Sequence, residues 1–274
     1  MEVVEQYLAS KTGQLHDCED TIYSNENFAC VIDGVTSKSS WVFPEQRTAG
    51  WWAASILVSV VERLAVETTL EQFIAIATQK IAEFYEHHQL TERVAQFPHD
   101  RLTASIAIFS RFHHQIWIIG DCQCLVDDEK YTNPKHIDTL LSEVRAFYLF
   151  SELLSGKTID ELIELDSGRN FILPLLERQA LFQNADMPYG YSVLDGFPVA
   201  SKDVKQIQVR RDATHLILAS DGYPDLAPSL EESEKRLQEA IARDPLCMTV
   251  NQSTKGMGRN SSSFDDRAFL KIRL

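Results

Sequence analysis

The sequence predicts an α+β protein with mainly antiparallel sheets inside and helices outside. Segments typical of strands and helices arrive in blocks, in the order strands, two helices, strands, helices, strands, one helix and one strand. A parallel doubly wound sheet would instead require strict alternation of strand and helix. The chain has 274 residues, of which 44% are hydrophobic, and this suffices for a sizeable core. Because neither an internal repeat nor a linker interrupts the sequence, we expect one domain over residues 1–274.

The first block consists of three strands. Val3–Ala9 is predicted as an opening strand, and Thr21–Ser24 with Phe28–Ile32 as a hairpin. The turn between them, Asn25-Glu26-Asn27, supplies polar residues that tolerate the backbone conformation of a tight turn.

Two long helices follow. Pro44 fits the first turn of a helix that reaches about Val66, and its stretch Trp51–Val61 is apolar almost all round, which predicts contacts on more than one side. Thr68, with Glu71 three residues later, predicts the N-cap of the second helix. Its buried stripe is predicted to contain Leu70, Phe73, Ile74, Ala77, Ile81 and Phe84.

The rest of the chain mixes strands and helices, and its least regular part is about 131–191. Gly156 is predicted to close one of these helices, and a polar loop rich in Gly and Ser leads to the last strand. The predicted strands are Leu102–Phe109, Gln115–Leu125, Val204–Val209, His215–Ser220 and Ala268–Leu274. The predicted helices are Asp138–Leu154, a short helix capped by Thr158 and Glu161, Pro174–Phe182, and one from Ser229 to about Arg243.

Acidic residues stand at the ends of the strongest strand segments. Taken singly, each Asp-Gly step is a common turn, and Asp195-Gly196 is interpreted as one. The recurrence of acidic residues in this position predicts instead that they meet in one cluster, which cannot stay fully ionised without a cation. The acidic motifs are Glu19-Asp20, Asp33-Gly34, Gly120-Asp121, Asp221-Gly222 and Asp265-Asp266.

The chemistry of such a cluster points to hard cations. Oxygen ligands without His or Cys at metal-binding spacing select Mg²⁺ or Mn²⁺. Two such ions on the order of 4 Å apart can share a water, lower its pKa and direct it at phosphorus. An EF-hand is excluded because the acidic residues lack its alternating spacing, and a serine hydrolase is disfavoured because no Gly-x-Ser-x-Gly motif is present.

The charge and the cysteines restrict partners and location. A formal net charge of -14 argues against nucleic acid or an anionic membrane as the main partner, since both require a basic surface. The five cysteines show no zinc spacing and are interpreted as reduced. With neither a signal peptide nor an apolar run of membrane-spanning length in this sequence, we expect a soluble cytoplasmic protein without a membrane partner.

The order of the acidic motifs resembles that of the metal-dependent type 2C protein phosphatases. The resemblance extends over nearly the whole chain, and the bacterial branch is the most similar because Asp265-Asp266 stands where many members have Asp-Asn. It implies a four-layer α-β-β-α sandwich of two mainly antiparallel sheets flanked by helices, with two Mn²⁺ or Mg²⁺ ions at one end of the sheets. The matching motifs are Glu19-Asp20, Val31-Ile32-Asp33-Gly34, Thr103-Ala104-Ser105, Gly120-Asp121, Ala219-Ser220-Asp221-Gly222 and Asp265-Asp266.

The resemblance implies a role for each metal-binding position. Asp33 matches the ligand that bridges both metals, and the Gly34 carbonyl matches a ligand of one of them. Asp221 and Asp265 match further direct ligands, whereas Asp20 matches a ligand that acts mainly through water. Asp33 and Asp20 are thus the predicted catalytic residues.

Two positions beside these ligands have less direct roles in the resemblance. Glu19 is the usual neighbour of the aspartate at position 20 and is expected to hold a metal-bound water without contacting the metal itself. Asp121 matches a position linked to a third, weaker metal in bacterial members, and its alternative interpretation is a turn after a strand.

The sequence also departs from the family pattern. Leu15 stands where the family usually has a phosphate-binding arginine, and Val35 stands where many members have a histidine that can act as general acid. His16, Lys255 and Arg259 are candidate substitutes for the arginine, and the alternative for each is a solvated loop side chain. Because this arginine can hold a phosphate through two hydrogen bonds, its loss is expected to weaken substrate binding more than metal binding.

The resemblance implies a phosphatase of phosphoserine and phosphothreonine in proteins. It also places a variable flap at about 131–191, next to the site. Two alternatives stay open. Leu15 and Val35 favour a metal-binding regulatory module with weak or lost activity. The altered phosphate pocket also allows a small phosphorylated metabolite as substrate.

Overall fold

Two five-stranded antiparallel sheets form the centre of the molecule. The computed structural model describes residues 1–38, 41–199 and 203–274. The first sheet has the order β1 (Glu2–Ala9), β10 (Arg267–Arg273), β9 (His215–Ala219), β6 (Gln123–Val126) and β7 (Glu129–Tyr131). The second sheet has the order β2 (Thr21–Ser24), β3 (Phe28–Gly34), β4 (Ala104–Ser110), β5 (Gln115–Ile119) and β8 (Lys205–Gln208).

Seven α-helices lie in the described part of the chain. None of them combines the length and apolarity that crossing a membrane requires. The helices are α1 (Ala49–Glu62), α2 (Leu70–His87), α3 (Thr91–Gln96), α4 (His136–Leu154), α5 (Ile159–Glu164), α6 (Ser167–Gln179) and α7 (Leu230–Arg243).

The sheets stack face to face between two layers of helix. Val31 and Phe109 of the second sheet share a fully buried core with Leu218 of the first. On its outer face the second sheet packs against α1 and α2, for example through Leu57 and Phe73. The outer face of the first sheet packs against α7. The predicted α+β class with a four-layer α-β-β-α order is confirmed.

The starts of α1 and α2 differ from the prediction. Pro44 begins a short 3₁₀ turn, and α1 begins only after Thr48, whose side chain accepts a hydrogen bond from the amide of Trp51. The N-cap of α2 is Thr69 and not Thr68, and Thr69 forms a capping box with Gln72. The prediction for α2 was wrong because threonines at both 68 and 69 are followed three residues later by a residue that can complete a capping box.

Pro174 does not start a helix, in contrast to the prediction. It lies inside α6, which Asp166 caps by accepting a hydrogen bond from the amide of Arg169. Proline usually marks the first turn of a helix because it has no amide hydrogen to donate. Here the remaining turns of α6 pack Ile172 and Leu176 against α4, and this tertiary contact keeps the helix continuous through the proline.

The segment predicted as one strand at 115–125 is two strands in different sheets. Gly120 separates them and has a positive φ of 85°, a conformation that glycine adopts without strain. β5 therefore stays in the second sheet and β6 crosses to the first. Asp121 lies at this crossing point, between the two sheets.

Helices α4 to α6 contribute to two apolar clusters of their own, and a buried arginine links these helices to the loop after α7. The guanidinium of Arg145 on α4 donates to the backbone oxygens of Leu246 at 2.8 Å and Ser253 at 3.0 Å. It also pairs with Asp166 at 2.6 Å. Arg169 on α6 donates to the carbonyl of Thr254 at 2.8 Å. Through these contacts, the segment 131–191 fixes the chain just before Lys255.

Candidate metal centre

The ends of strands from both sheets meet at one cavity of about 470 Å³. Each acidic side chain comes from a different strand end, which explains why residues far apart in sequence become neighbours. Asp20 precedes β2, Asp33 lies near the end of β3, and Asp121 follows β5. Asp221 follows β9 and Asp265 precedes β10, and all five side chains line this cavity.

Gly34 allows the backbone to pack closely at the cavity wall. A Cβ atom at this position would lie 2.4 Å from the carbonyl oxygen of Gly50 and 2.6 Å from that of Glu19. Both contacts are with backbone atoms, so a side chain has no room. Gly34 therefore brings the start of α1 and the Glu19-Asp20 segment against the end of β3.

Three aspartates form the centre of the cluster. Asp33, Asp121 and Asp221 each offer a carboxylate oxygen, and these atoms lie within 4.8 Å of one another. Desolvation, followed by the negative charges of Asp20 and Asp121, raises the pKa of Asp33 well above its ordinary value. Desolvation, followed by the charges of Asp33 and Asp121, raises the pKa of Asp221 in the same way. The protein alone therefore disfavours full ionisation of this group.

Asp20 and Glu19 complete one side of the cluster. Burial raises the pKa of Asp20 well above its ordinary value, and the negative charges of Asp265 and Asp266 raise it further. A hydrogen bond from Ser220 acts in the opposite direction but does not outweigh them. The Oδ2 atom of Asp20 and the Oε1 atom of Glu19 are buried and accept no hydrogen bond from the described residues. The other Glu19 oxygen, Oε2, accepts a hydrogen bond of 2.5 Å from the Thr36 hydroxyl.

Lys135 neutralises Asp121. Its Nζ atom lies 2.7 Å from Asp121 Oδ2, and the side chains are only 10% and 13% exposed. Burial alone would raise the pKa of Asp121, but Lys135 and a 2.6 Å hydrogen bond from the Ser105 hydroxyl outweigh it and lower the pKa. The Asp121 carboxylate is therefore ionised and already has a cationic partner.

Two further lysines neutralise Asp265. Lys255 pairs directly with Asp265 Oδ2, and Lys11 lies 3.4 Å from Oδ1. Burial would raise the pKa of Asp265, but the charges of Lys255 and Lys11 lower it to about 2. Lys11, at the end of β1, also lies 3.8 Å from Glu19 and from Asp266.

Asp266 holds the strand ends together and has its carboxylate oxygens occupied. Oδ1 accepts hydrogen bonds from the amide of Lys11 at 2.9 Å and from the hydroxyl of Ser10 at 3.2 Å. Oδ2 accepts one from the amide of Glu19 at 2.8 Å. This residue fastens the end of β1 and the Glu19-Asp20 segment to the start of β10.

The residues of the cluster fit hard divalent cations. All donors are oxygen atoms, the kind of ligand that Mg²⁺ and Mn²⁺ prefer. The lysines also leave part of the cluster unpaired, because Lys11, Lys135 and Lys255 pair only with Glu19, Asp121, Asp265 and Asp266 among the described residues. No lysine there lies within ion-pair distance of Asp20, Asp33 or Asp221. The buried Asp20 oxygen without a hydrogen-bond donor is of the kind that a cation would satisfy.

Not all predicted substrate-binding residues lie at the cavity. Lys255 lines it, whereas His16 and Arg259 are not among its lining residues. The imidazole of His16 is 71% exposed and contacts Asp17, and the guanidinium of Arg259 pairs with Glu164 on the surface. Leu15, in the place of the family's arginine, is 61% exposed and also does not line the cavity.

Sequence reasoning missed Lys11, Lys38 and Lys135, all near the acidic residues. The signal for Lys135 was its position directly before α4, where a positive charge opposes the helix dipole and a capping side chain is usual. Lys11 was visible only as part of the turn after β1. Lys38 lies four residues after Gly34 and lines the cavity.

The sequence matches no protein-family model and no curated protein. Solved structures that resemble it include the serine/threonine phosphatase Stp1 from Staphylococcus aureus, with 13% identity, a TM-score of 0.49 and coverage of 100% of this chain and 95% of that one. The serine/threonine phosphatase PstP/Ppp of Mycobacterium tuberculosis has 15% identity, a TM-score of 0.47 and coverage of 99% of both chains. The catalytic domain of PstP with two manganese ions has 14% identity, a TM-score of 0.48 and coverage of 100% of both chains.

These identities are low, so only the site itself indicates what the chain does. Aspartates from five strand ends lie around one cavity between two stacked sheets. In the order of these acidic motifs and in the α-β-β-α architecture that brings them together, the chain resembles the metal-dependent type 2C protein phosphatases.

Proposed function

We propose that the chain is a Mg²⁺- or Mn²⁺-dependent phosphomonoester hydrolase that acts on phosphoserine and phosphothreonine in proteins. The observation that carries the proposal is the convergence of five aspartates on one cavity, of which Asp20, Asp33 and Asp221 have no lysine within ion-pair distance among the described residues. Such a concentration of unpaired negative charge is costly unless cations bind there. The order of the acidic motifs adds support for a phosphatase.

In this proposal, each residue of the acidic cluster has a separate role. Asp33, Asp221 and the Gly34 carbonyl would hold the cations directly, and Asp20 would act mainly through a bound water. Bound Mg²⁺ or Mn²⁺ supplies a water of lowered pKa that can attack phosphorus. Thr36 fixes one oxygen of Glu19, and the other oxygen stays free to accept a hydrogen bond from water. Asp265 would be a further cation ligand, in competition with Lys255 and Lys11, which pair with its carboxylate.

Turnover of p-nitrophenyl phosphate with and without Mn²⁺ tests this proposal. We expect metal-dependent turnover by the wild type and at least a hundredfold loss in Asp33→Asn and Asp221→Asn, because each removes a charged metal ligand. Asp225→Asn is the matched control, since Asp225 is an exposed residue near Asp221 that pairs with Arg236. Wild-type turnover no higher than that of the two variants contradicts the proposal.

The proposed substrate is a phosphorylated protein, and a small phosphorylated metabolite is the alternative. A panel of phosphoserine and phosphothreonine peptides together with sugar and nucleoside monophosphates separates the two. We expect kcat/KM to be higher for the peptides, and the reverse order would make the protein a metabolite phosphatase.

A metal-binding regulatory module with weak or lost activity is the second candidate. It is favoured by the lysines that pair with Asp121 and Asp265, together with Leu15 in place of the arginine. Isothermal titration calorimetry that shows Mn²⁺ binding by a wild type without turnover would support it. If the missing arginine is the cause, Leu15→Arg should raise activity.

We propose a cytoplasmic location. All five cysteines are free and buried, a state that suits a reducing compartment. Fractionation of the source cells followed by immunodetection checks this, and recovery of the protein outside the cytoplasm would contradict it.

A further inference from the structure

We propose that Lys38 binds the phosphoryl group of the substrate, in place of the arginine that position 15 lacks. This inference rests on the proposed phosphatase function and adds to it the residue that recognises the phosphate. It rests on the placement of Lys38, on its hydrogen bonds and on the charges around it.

Lys38 lies at the same cavity as the acidic cluster. It follows β3 by four residues and lines the cavity together with Asp33 and Asp221. Thr36, two residues earlier, contacts Glu19 through its hydroxyl and so fixes this part of the chain near the carboxylates. Leu15 is exposed and does not line the cavity, whereas Lys38 does.

The ammonium group of Lys38 has spare hydrogen-bonding capacity. It donates to the backbone carbonyl of Thr36 at 2.5 Å. An ammonium has three donors, and this bond uses one of them. Among the residues that the structure describes, no carboxylate lies within ion-pair distance of Lys38, in contrast to Lys11, Lys135 and Lys255.

The surroundings of Lys38 favour an anion. Desolvation, followed by the positive charges of Arg169 and Lys255, lowers the pKa of Lys38 to about 7, and the more weakly acting negative charges of Asp265 and Glu19 do not offset this. Arg169 is held by the carbonyl of Thr254, so its charge stays near this wall of the cavity. Three cationic side chains therefore lie together next to the carboxylates. A phosphoryl dianion between the two groups would pair with the cations and would stay in reach of metal ions held by the aspartates.

The experiment compares binding of inorganic phosphate in the presence of saturating Mg²⁺ by isothermal titration calorimetry. We expect Lys38→Met to weaken phosphate binding about tenfold or more, the loss of one charge-assisted hydrogen bond. Lys38→Arg should recover most of the affinity. Lys130→Met is the control, because Lys130 is an exposed lysine at the same cavity and gives the same change of charge. It should bind phosphate within about twofold of the wild type, a small effect expected of an exposed charge.

Kinetics with p-nitrophenyl phosphate provide a second measurement. Lys38→Met should raise KM about tenfold and change kcat less, and Mg²⁺ binding should be unaffected. Wild-type phosphate affinity in Lys38→Met, or no phosphate binding by the wild type, would overturn the assignment of Lys38. Absence of metal-dependent turnover in the wild type would overturn the phosphatase proposal instead, and the phosphate titration would still report on Lys38.

Discussion

The ammonium group of Lys135 lies 2.7 Å from the carboxylate of Asp121, the residue for which the sequence resemblance implied a third, weaker metal. Lys135 comes from the residue before α4 and Asp121 from the crossing between the sheets, so the pair also connects the segment 131–191 to the acidic cluster. The sequence offered a third metal or a simple turn for Asp121. The structure instead shows an ion pair, in which a lysine supplies the positive charge beside Asp121.

Replacement of Lys135 should make the protein depend on divalent cations for stability. Lys135→Met leaves Asp121 buried without its partner, and we expect a loss of about 3 kcal/mol in the free energy of unfolding in EDTA. Mn²⁺ should restore more stability to this variant than to the wild type, because the freed carboxylate becomes an additional ligand. Thermal unfolding in EDTA and in Mn²⁺ measures both effects. Lys80→Met, which breaks an exposed pair with Glu83, should cost less than about 1 kcal/mol.

Gly34→Ala should destabilise the protein by about 2 kcal/mol, the usual cost of overpacking. The added Cβ would meet the backbone oxygens of Gly50 and Glu19, which move only if α1 or the Glu19-Asp20 segment moves. Chemical denaturation measures the change. Gly258→Ala is the control because its new Cβ would meet only the side-chain hydroxyl of Ser261, and equal losses in the two variants would contradict the packing argument.

The buried carboxyl of Asp195 should make the folded protein less stable as the pH rises, opposite to the usual effect of a paired carboxylate. Burial raises the pKa of Asp195 from 3.8 to about 6. The positive charge of Arg101, 3.0 Å away, lowers this pKa but does not outweigh the burial. The folded state therefore binds this proton more tightly than the unfolded state does. The resulting stabilisation is present below the unfolded pKa and is lost as the pH rises through the folded pKa.

Urea unfolding of the wild type and Asp195→Asn across this range tests the effect. The stability of the wild type relative to the variant should fall by on the order of 2 kcal/mol between about pH 4 and about pH 7. Asp212→Asn changes an exposed carboxylate and should follow the wild type. A constant difference between the wild type and Asp195→Asn would show that the pKa of Asp195 is not raised.

Arg145 should control the order of the loop that carries Lys255. Arg145→Met removes hydrogen bonds to Leu246, Ser253 and Asp166 from a side chain that has no exposed surface. We expect a loss of about 3 kcal/mol in stability, since Asp166 loses its partner. Amide hydrogen exchange in residues 246–255 should become faster. Arg178→Met on the exposed side of α6 is the control, and unchanged exchange in Arg145→Met would contradict the proposed link.

Much of the fold was predictable because the apolar pattern of strands and helices is local. The hairpin β2–β3, the capping box at Thr158 and the cap of α7 by Ser229 were all visible in a few neighbouring residues. Local signals failed where tertiary packing decides the outcome, as in the proline inside α6. They also failed at Gly120, where the chain changes sheets without a change in its apolar pattern.

The acidic residues of the site were predictable, but their cationic neighbours were not. Strand-end aspartates repeat one local pattern, whereas the lysines occur in three different contexts: the end of β1, the loop after β3 and the residue before α4. A lysine in such places is usually solvated, and only the packed structure brings Lys11, Lys38 and Lys135 to the carboxylates. The predicted metal-binding roles of Asp20, Asp33, Gly34, Asp121, Asp221 and Asp265 stay predictions until cation binding is measured.

The pairing of β1 with β10 has a consequence for biosynthesis. β1 is an edge strand whose partner in the first sheet is β10, so β1 leaves the ribosome long before the strand it pairs with. Asp265 and Asp266 precede β10, and the set of carboxylates that includes Asp20 and Asp33 therefore stays incomplete until this distant segment has been translated. The cation binding proposed above would then be a late step of folding, because it requires segments that are far apart in the chain to meet.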